Sequence, residues 1–380
     1  MVTGTRAEYG ILRPVIAAIK KHPHLELQLI AAGMHLSDEF GMTKNDIEQD
    51  GHQIDAAVAM LPETDDDGAM AVAAARGITG FVDAFKKISP GIVVVLGDRI
   101  EAFAATIAAS FLNIPVAHVS GGDKTRAGRD EEMRHAITKF AKIHFPATKT
   151  SGERITKMGE DAWRVFVVGE PSIDTMLQER LLEKEELKKY ALSLDFTKQY
   201  AVVVQHPVTT EAEKAGEQMR ATLEAVHKEK IPALIFYPNA DSGGRRMIEV
   251  IKEYEKIQGF LVAKSLPHTA YLSVLKHAAF IIGNSSSGIV EAPTLKVAAI
   301  NIGIRQEGRE CASNVVHVDD NEDNEQQIRR AITTVFSLSF REQLKNCINP
   351  YGSGDTSTKI AEVLATIPVN DRLLKKTITY

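Results

Sequence analysis

A chain of 380 residues that is 44% hydrophobic and 25% charged has ordinary globular composition and more length than one compact core usually holds, so two domains are expected. The formal net charge of −5 argues against nucleic acid as a partner, and no apolar run approaches the roughly 20 residues of a membrane helix. Only Cys311 and Cys347 occur, with no CxxC pair, which sets aside a disulfide framework or a cysteine zinc site and fits a reducing cytoplasm.

The chain enters at once on Thr3-Gly4-Thr5-Arg6, with no apolar leader. Short apolar runs then alternate with stretches of helical period. Strands are expected at 27–31, 91–95, 116–119, 143–146 and 164–168, and helices at 11–21, 69–85, 101–111, 131–142 and 151–158. From 177 to 198 the sequence is dense in Glu, Lys and Leu and reads as a solvated helix or linker. Alternation resumes with strands at 200–204, 233–237, 260–262, 279–282, 298–302 and 315–318, and a last helix at 356–365. Strands alternating with helices indicate parallel sheets of βαβ units. The expected fold class is therefore α/β, with two Rossmann-like, doubly wound domains facing a central cleft. Residues 1–169 form the first and 170–355 the second, with 356–380 a helix and tail crossing back to the first.

Ligands of such sheets bind at the carboxyl ends of the strands, so the loops there are informative. Thr3 to Gly10 is a small glycine-bearing loop that opens a helix, where amides can receive an anion and Arg6 adds a fork suited to phosphate. Standing alone it reads first as a turn. Asp98, in Leu96-Gly97-Asp98-Arg99, follows a strand and reads equally as an N-cap or an acid. His118-Val119-Ser120-Gly121-Gly122-Asp123-Lys124-Thr125 follows another strand, and beyond it Asp130 and Arg134 share a helix face, as an exposed ion pair or as groups facing a ligand.

In the second half, Gly283-Asn284-Ser285-Ser286-Ser287-Gly288-Ile289-Val290-Glu291 reads as strand end, Gly/Ser loop and helix start, an anion cradle without the Walker pattern. Glu291 lies one helical turn on, where a carboxylate suits ribose hydroxyls. Gln205-His206-Pro207-Val208-Thr209-Thr210 sets an imidazole at another strand end, and a lone histidine is more often structural.

Taken together, Gly4 through Tyr9, His35 through Asp38, Gly97-Asp98-Arg99, Asp130 through Lys139, Gln205 through Thr210, Gly283 through Ser286 with Glu291, and Gly303 through Glu310 span nearly the whole chain in order. With them the sequence resembles the hydrolysing UDP-N-acetylglucosamine 2-epimerases that open sialic-acid and related nonulosonate pathways. The resemblance implies the architecture of GT-B glycosyltransferases and a UDP-sugar substrate. It implies Ser285 and Ser286 on the diphosphate, Glu291 on the ribose, His206 near the phosphates, Arg6 reaching from the first domain, and His35 and Arg99 among the substrate contacts. It assigns proton exchange to Asp98 and Asp130, supported by Arg134 and Arg305, with no metal or redox cofactor, in a homodimer or higher homo-oligomer.

Two departures stand out. Non-hydrolysing relatives carry an acid where this chain has Ser120, so Asp123 is expected to take that role, hydrolysing relatives having Glu there. Met1-Val2-Thr3 is shorter than the first strand of relatives, so an incomplete N-terminus and a less stable first domain are expected. The alternatives are a non-hydrolysing epimerase, disfavoured by Ser120; the same hydrolysing reaction on UDP-2,4-diacetamido-2,4,6-trideoxyglucose; a GT-B glycosyltransferase; and a UDP-sugar-sensing protein without turnover.

Overall fold

The computed structural model describes residues 1–380 except 39–40, 62–67, 125–128, 191–193, 209–210, 239–242, 265 and 320–323. Met1–Lys124, Gly128–Thr175 and Tyr351–Tyr380 form one compact unit, and Met176–Pro350 forms the body of another.

The first unit is built on parallel strands β1 (Val2–Thr3), β2 (Ile30–Ala32), β3 (Ala56–Val58), β4 (Val93–Leu96), β5 (Val116–Val119) and β6 (Ile143–Phe145). They pair in the orders β1-β2-β3 and β4-β5-β6, and β1 lies beside β4. The helices are α1 (Arg6–Lys21), α2 (Lys44–Gln49), α3 (Ala69–Ile88), α4 (Ile100–Phe111), α5 (Arg129–Phe140) and α6 (Lys149–Lys157). Every residue of β4 and β5 is buried, as expected of parallel strands covered on both faces. Thr5 caps α1 by accepting the Glu8 amide, and Leu12, Val15, Ile16 and Ile19 turn one apolar stripe into the core.

Helix Thr356–Thr366 packs on α1. Buried Asp174 holds its start, accepting the amides of Thr356 (3.1 Å) and Ser357 (2.6 Å). The second unit is a single parallel sheet of β7 (Ala201–Val204), β8 (Ala233–Phe236), β9 (Phe260–Ala263), β10 (Phe280–Gly283), β11 (Ala298–Ile302) and β12 (Val315–Val318), in the order β12-β11-β10-β7-β8-β9. Thus β10 is flanked by β7 and β11, and the loops after these three strands are neighbours.

Three expectations change. Residues 164–168 are not a ladder strand: Ala162–Arg164 is a 3-10 turn and Val165 makes a single bridge to His144. The cause is distant in sequence, because the buried Arg164 guanidinium donates to the carbonyls of Lys142, Arg372 and Leu373 and shapes the chain around the C-terminal tail. The segment from 177 to 198 is not simply a solvated run. Helices Pro171–Gln178 and Lys184–Leu187 occupy part of it, and Leu182, Leu187 and Leu194 enter the second unit's core. β2 starts later than periodicity suggests, since the Asp55 carboxylate takes the Leu29 amide at 2.7 Å.

β1 has two residues, and Met1 extends its pairing: its carbonyl accepts from Ile30 (2.9 Å) and its amine donates to Gln28 (2.7 Å). Burial lowers that amine to about 5. Beside it lies a cavity of about 340 Å³ lined by Met1, Val2, Leu27, Gln28, Ile92 and Leu364 among others.

Candidate active site

In the first unit, the loop after β1 is shaped by two buried carboxyl groups. The Gly4 amide donates to Glu8 Oε2 at 2.8 Å. Glu101, at the start of α4, fills the space under two glycines: a Cβ on Gly4 would lie 2.6 Å from its Cγ, and one on Gly33 2.4 Å from its Oε1. Burial, and then the charge of Glu101, push Glu8 up to about 7. Arg99 sets its Nε 3.4 Å from Glu101 Oε2 and remains exposed. Arg6 is exposed, with its Nε 3.2 Å from Asp46 Oδ2 on α2. His35 is fully buried, its Nε2 3.0 Å from Thr3 Oγ1 and its Nδ1 2.8 Å from Thr43 Oγ1. Burial lowers it to about 4, so the ring is neutral and holds the loop from below. It was expected among the substrate contacts; both ring nitrogens are taken by threonines.

The loop after β4 carries Asp98. Behind it His118, fully buried on β5, sets Nε2 2.7 Å from the Gly97 carbonyl and Nδ1 3.1 Å from Thr138 Oγ1. Burial lowers this ring to about 3. A neutral imidazole satisfies both partners only by donating from Nε2 to the carbonyl and accepting the threonine hydroxyl at Nδ1. The Gly97–Asp98 peptide is thereby fixed. Arg134, 5% exposed on α5, forms an ion pair with Asp98 through one terminal nitrogen. Its other terminal nitrogen lies 3.4 Å from both the Asp123 carbonyl and Glu131 Oε2. Periodicity pairs Arg134 with Asp130; the fold adds Asp98 from the neighbouring loop, which periodicity cannot show. Asp130 itself is exposed in the first turn of α5.

Ser120 has a left-handed backbone (φ 56°), and its hydroxyl donates to Glu170 Oε2 at 2.8 Å. Asp123 Oδ1 accepts from Ser151 at 2.7 Å. Asp98, Asp123 and Arg134 are thus joined, with Arg99 next to Asp98 in the chain. Thr125 of this motif, and Thr209 and Thr210 of the His206 motif, lie outside the described residues.

In the second unit, Gly283 ends β10 with φ 131°, and a Cβ there would lie 2.2 Å from the Val204 carbonyl. Only glycine allows that approach. Asn284 follows, 3% exposed. Its Oδ1 accepts the His206 amide at 2.7 Å and its Nδ2 donates to the His206 carbonyl at 2.8 Å. Its own carbonyl receives Gln306 Nε2 at 2.9 Å and Arg305 at 3.2 Å. Ser285 and Ser286 are half-buried, and Ser285 Oγ accepts the Ser287 amide at 3.3 Å. Glu291 Oε2 is buried with no hydrogen-bond partner among the described residues, and burial raises its pKa. A desolvated acceptor of this kind suits a hydroxyl donor. Asn284 thus ties the loop of Ser285 and Ser286 to His206 after β7 and to Arg305 after β11.

Sequence reasoning did not single out Glu101, His118, Asn284 or Gln306. A polar residue inside an apolar strand is the signal that exposes His118, and the other three stand beside motif residues already noted. Among the described residues there is no group of three or more His, Cys, Asp or Glu placed to hold a metal, and no helix long and apolar enough to cross a membrane.

A family model described as UDP-N-acetylglucosamine 2-epimerase matches residues 17–365. The chain is 33% identical over 380 residues to the UDP-N,N'-diacetylbacillosamine 2-epimerase (hydrolyzing) of Legionella pneumophila, covering 100% of this chain and 98% of that protein. It is 36% identical to the polysialic acid biosynthesis protein P7 of Escherichia coli, covering 92% and 89%. In fold it is similar to the crystal structure of UDP-GlcNAc 2-epimerase from Neisseria meningitidis bound to UDP-GlcNAc, with a TM-score of 0.79, 19% identity and coverage of 96% and 98%.

Proposed function

The chain belongs to the UDP-N-acetylglucosamine 2-epimerase family, and from that premise we propose that it hydrolyses UDP-N-acetylglucosamine with inversion at C2, releasing UDP and free N-acetylmannosamine. The observation that carries this reading is the Asp98–Arg134 pair, a carboxylate fixed at a strand end by a buried guanidinium and by the His118-held peptide. Oriented carboxylates are what proton exchange at a weakly acidic carbon requires.

In the reaction one carboxylate takes the C2 proton while the C1–O bond to UDP breaks, leaving a 2-acetamidoglucal. Water then adds across the double bond, hydroxide to C1 and a proton to the opposite face of C2. Asp98 and Asp130 serve the two proton transfers, and Asp123 supplies the acid that Ser120 cannot. The Ser285–Ser286 loop, His206 and Arg305 neutralise the departing diphosphate, Arg6 adds a further positive charge, and Glu291 takes the ribose hydroxyls. Arg99 orients the sugar. None of these steps calls for a metal or a redox cofactor.

One observation supports hydrolysis over return of a UDP-linked product, the Legionella relative being described as hydrolysing; the resemblance adds that Ser120 stands where non-hydrolysing enzymes are expected to carry an acid. The same relative supports a second reading, in which the sugar is the 2,4-diacetamido-2,4,6-trideoxy analogue and the chemistry is unchanged. Incubation with each UDP-sugar in deuterated water, followed by NMR, tests both. Free sugar of inverted configuration, deuterated at C2, is expected with equimolar UDP. A UDP-linked epimer as the accumulating product, or no C2 exchange with either sugar, overturns the proposal.

A further inference from the structure

Asn284 stands at the carboxyl end of β10, the strand between β7 and β11, and all of its polar groups are used in one way. Its amide donates to the Val204 carbonyl at the end of β7 (3.2 Å). Its side chain closes a two-point clamp on the His206 backbone in the loop after β7, at 2.7 and 2.8 Å. Its carbonyl is pinned from the loop after β11 by Gln306 at 2.9 Å and Arg305 at 3.2 Å. Each of its polar atoms has a protein partner, and the residue is 3% exposed.

The carbonyl pin has a geometric consequence. In a trans peptide the C=O of one residue and the N–H of the next point in opposite directions. With the Asn284 carbonyl held toward the β11 loop, the Ser285 amide is turned the other way, and a flip of this peptide would put a carbonyl oxygen where an anion needs a donor. The clamp does the same for His206, whose backbone cannot shift without breaking its two hydrogen bonds to the buried Asn284 side chain. Gln306, 4% exposed, is the inner of the two pins.

We propose that Asn284 is a positioning residue for the nucleotide diphosphate: it locks the loops after β7, β10 and β11 in one register, so that the Ser285 amide, His206 and Arg305 meet the leaving group together. This rests on the reading that the Ser285–Ser286 loop binds the UDP portion.

The test is calorimetric titration with UDP at 20 °C, beside thermal melting, for the wild type, Asn284→Asp and Gln306→Leu. Asn284→Asp keeps the size and the acceptor for the His206 amide, but when ionised it sets an oxygen against the His206 carbonyl. UDP affinity should fall about 10- to 100-fold with the melting transition close to wild type, and KM should rise more than kcat falls. Lowering the pH through the titration of the introduced carboxyl turns that oxygen into an O–H donor and should restore affinity. The restoration is read as the ratio to wild type, so that any effect of pH common to both proteins cancels. Gln306→Leu should weaken UDP in the same direction without any pH rescue.

Wild-type-like UDP affinity in both variants overturns the proposal, as does a loss of affinity that only tracks a lowered melting temperature. If Asn284→Asp does not fold, Gln306→Leu alone decides. A wild type that binds no UDP refutes the proposed function, a failure distinct from that of the clamp.

Discussion

The most quantitative consequence of the first unit concerns Glu8. Its carboxyl is buried, accepts the Gly4 amide and faces the charge of Glu101, so its pKa rises from 4.5 to about 7. For an acid whose folded pKa lies above its unfolded value, the folded state holds more protons between the two. Stability from this group is therefore complete below about 4.5 and is lost as pH rises to about 7. At about 1.4 kcal/mol per unit the loss reaches about 3 kcal/mol. Glu8→Gln keeps an oxygen for the Gly4 amide and cannot ionise, so it should remove the dependence.

Other groups oppose this slope. His35, His118 and the Met1 amine have folded pKa values near 4, 3 and 5, below their ordinary values, so each adds stability as pH rises. The quantity to measure is therefore the difference between wild type and Glu8→Gln. Trp163, the only tryptophan, is stacked by Arg164 and Arg372 at 4.3 and 4.4 Å within the first unit, so its fluorescence reports that unit alone. In urea titrations the variant should gain on the wild type by about 3 kcal/mol between pH 4.5 and 7.5. Curves that stay parallel over that range would mean that Glu8 is ionised in the folded protein and that the carboxyl pair has been misread.

Asp98→Asn and Asp130→Asn should each lower kcat by about 10²–10⁴ with UDP affinity kept, and Asp123→Asn should do the same if it supplies the missing acid; near-wild-type release of C2-deuterated sugar by Asp123→Asn removes it from the scheme. His118→Phe strands the Gly97 carbonyl and the Thr138 hydroxyl, which should cost the first unit about 1–3 kcal/mol and lower kcat by releasing Asp98; an unchanged kcat would show that the Gly97 peptide needs no anchor. Gly283→Ala forces a Cβ against the Val204 carbonyl at a positive φ, and should destabilise the second unit by about 3 kcal/mol or more in calorimetry. A variant as stable as wild type would mean that β7 and β10 can separate at no cost.

Much of the fold was legible because parallel strands buried on both faces appear as unbroken apolar runs. Strands β4 and β7 are such runs, and β5, β11 and β12, each carrying one polar residue, fall at the bounds that the alternation predicts. The misses have particular causes. Strand β3 is Ala-Ala-Val, too short and weakly apolar to stand out, and β2 is shortened by the Asp55 side chain. The run at 164–168 is decided by carbonyls more than 200 residues further on, which no local window can sense. Leu182, Leu187 and Leu194 were hidden among glutamates and lysines that cover the outer face of the same turns.

The loops of the candidate site could be picked out in the sequence, because the glycines and polar residues that follow strands are where the chain can approach a ligand. The division of labour within those loops could not. His35 looks like a substrate contact in sequence, yet it is closed off by two threonines, and His118 looks like strand filler, yet it fixes the peptide that carries Asp98. A residue type states which hydrogen bonds a side chain can make; burial decides whether backbone or ligand receives them. Asn284, Gln306 and His118 each hold a backbone carbonyl or amide of a loop, which is why they are invisible to a search for chemistry. Asp98 is half-buried and Arg99 and Asp130 are exposed, Asp98 and Arg99 following the peptide that His118 holds. Substitutions in the first set should therefore spread their effect over every group on the loop, whereas substitutions in the second should remove one step and leave binding intact.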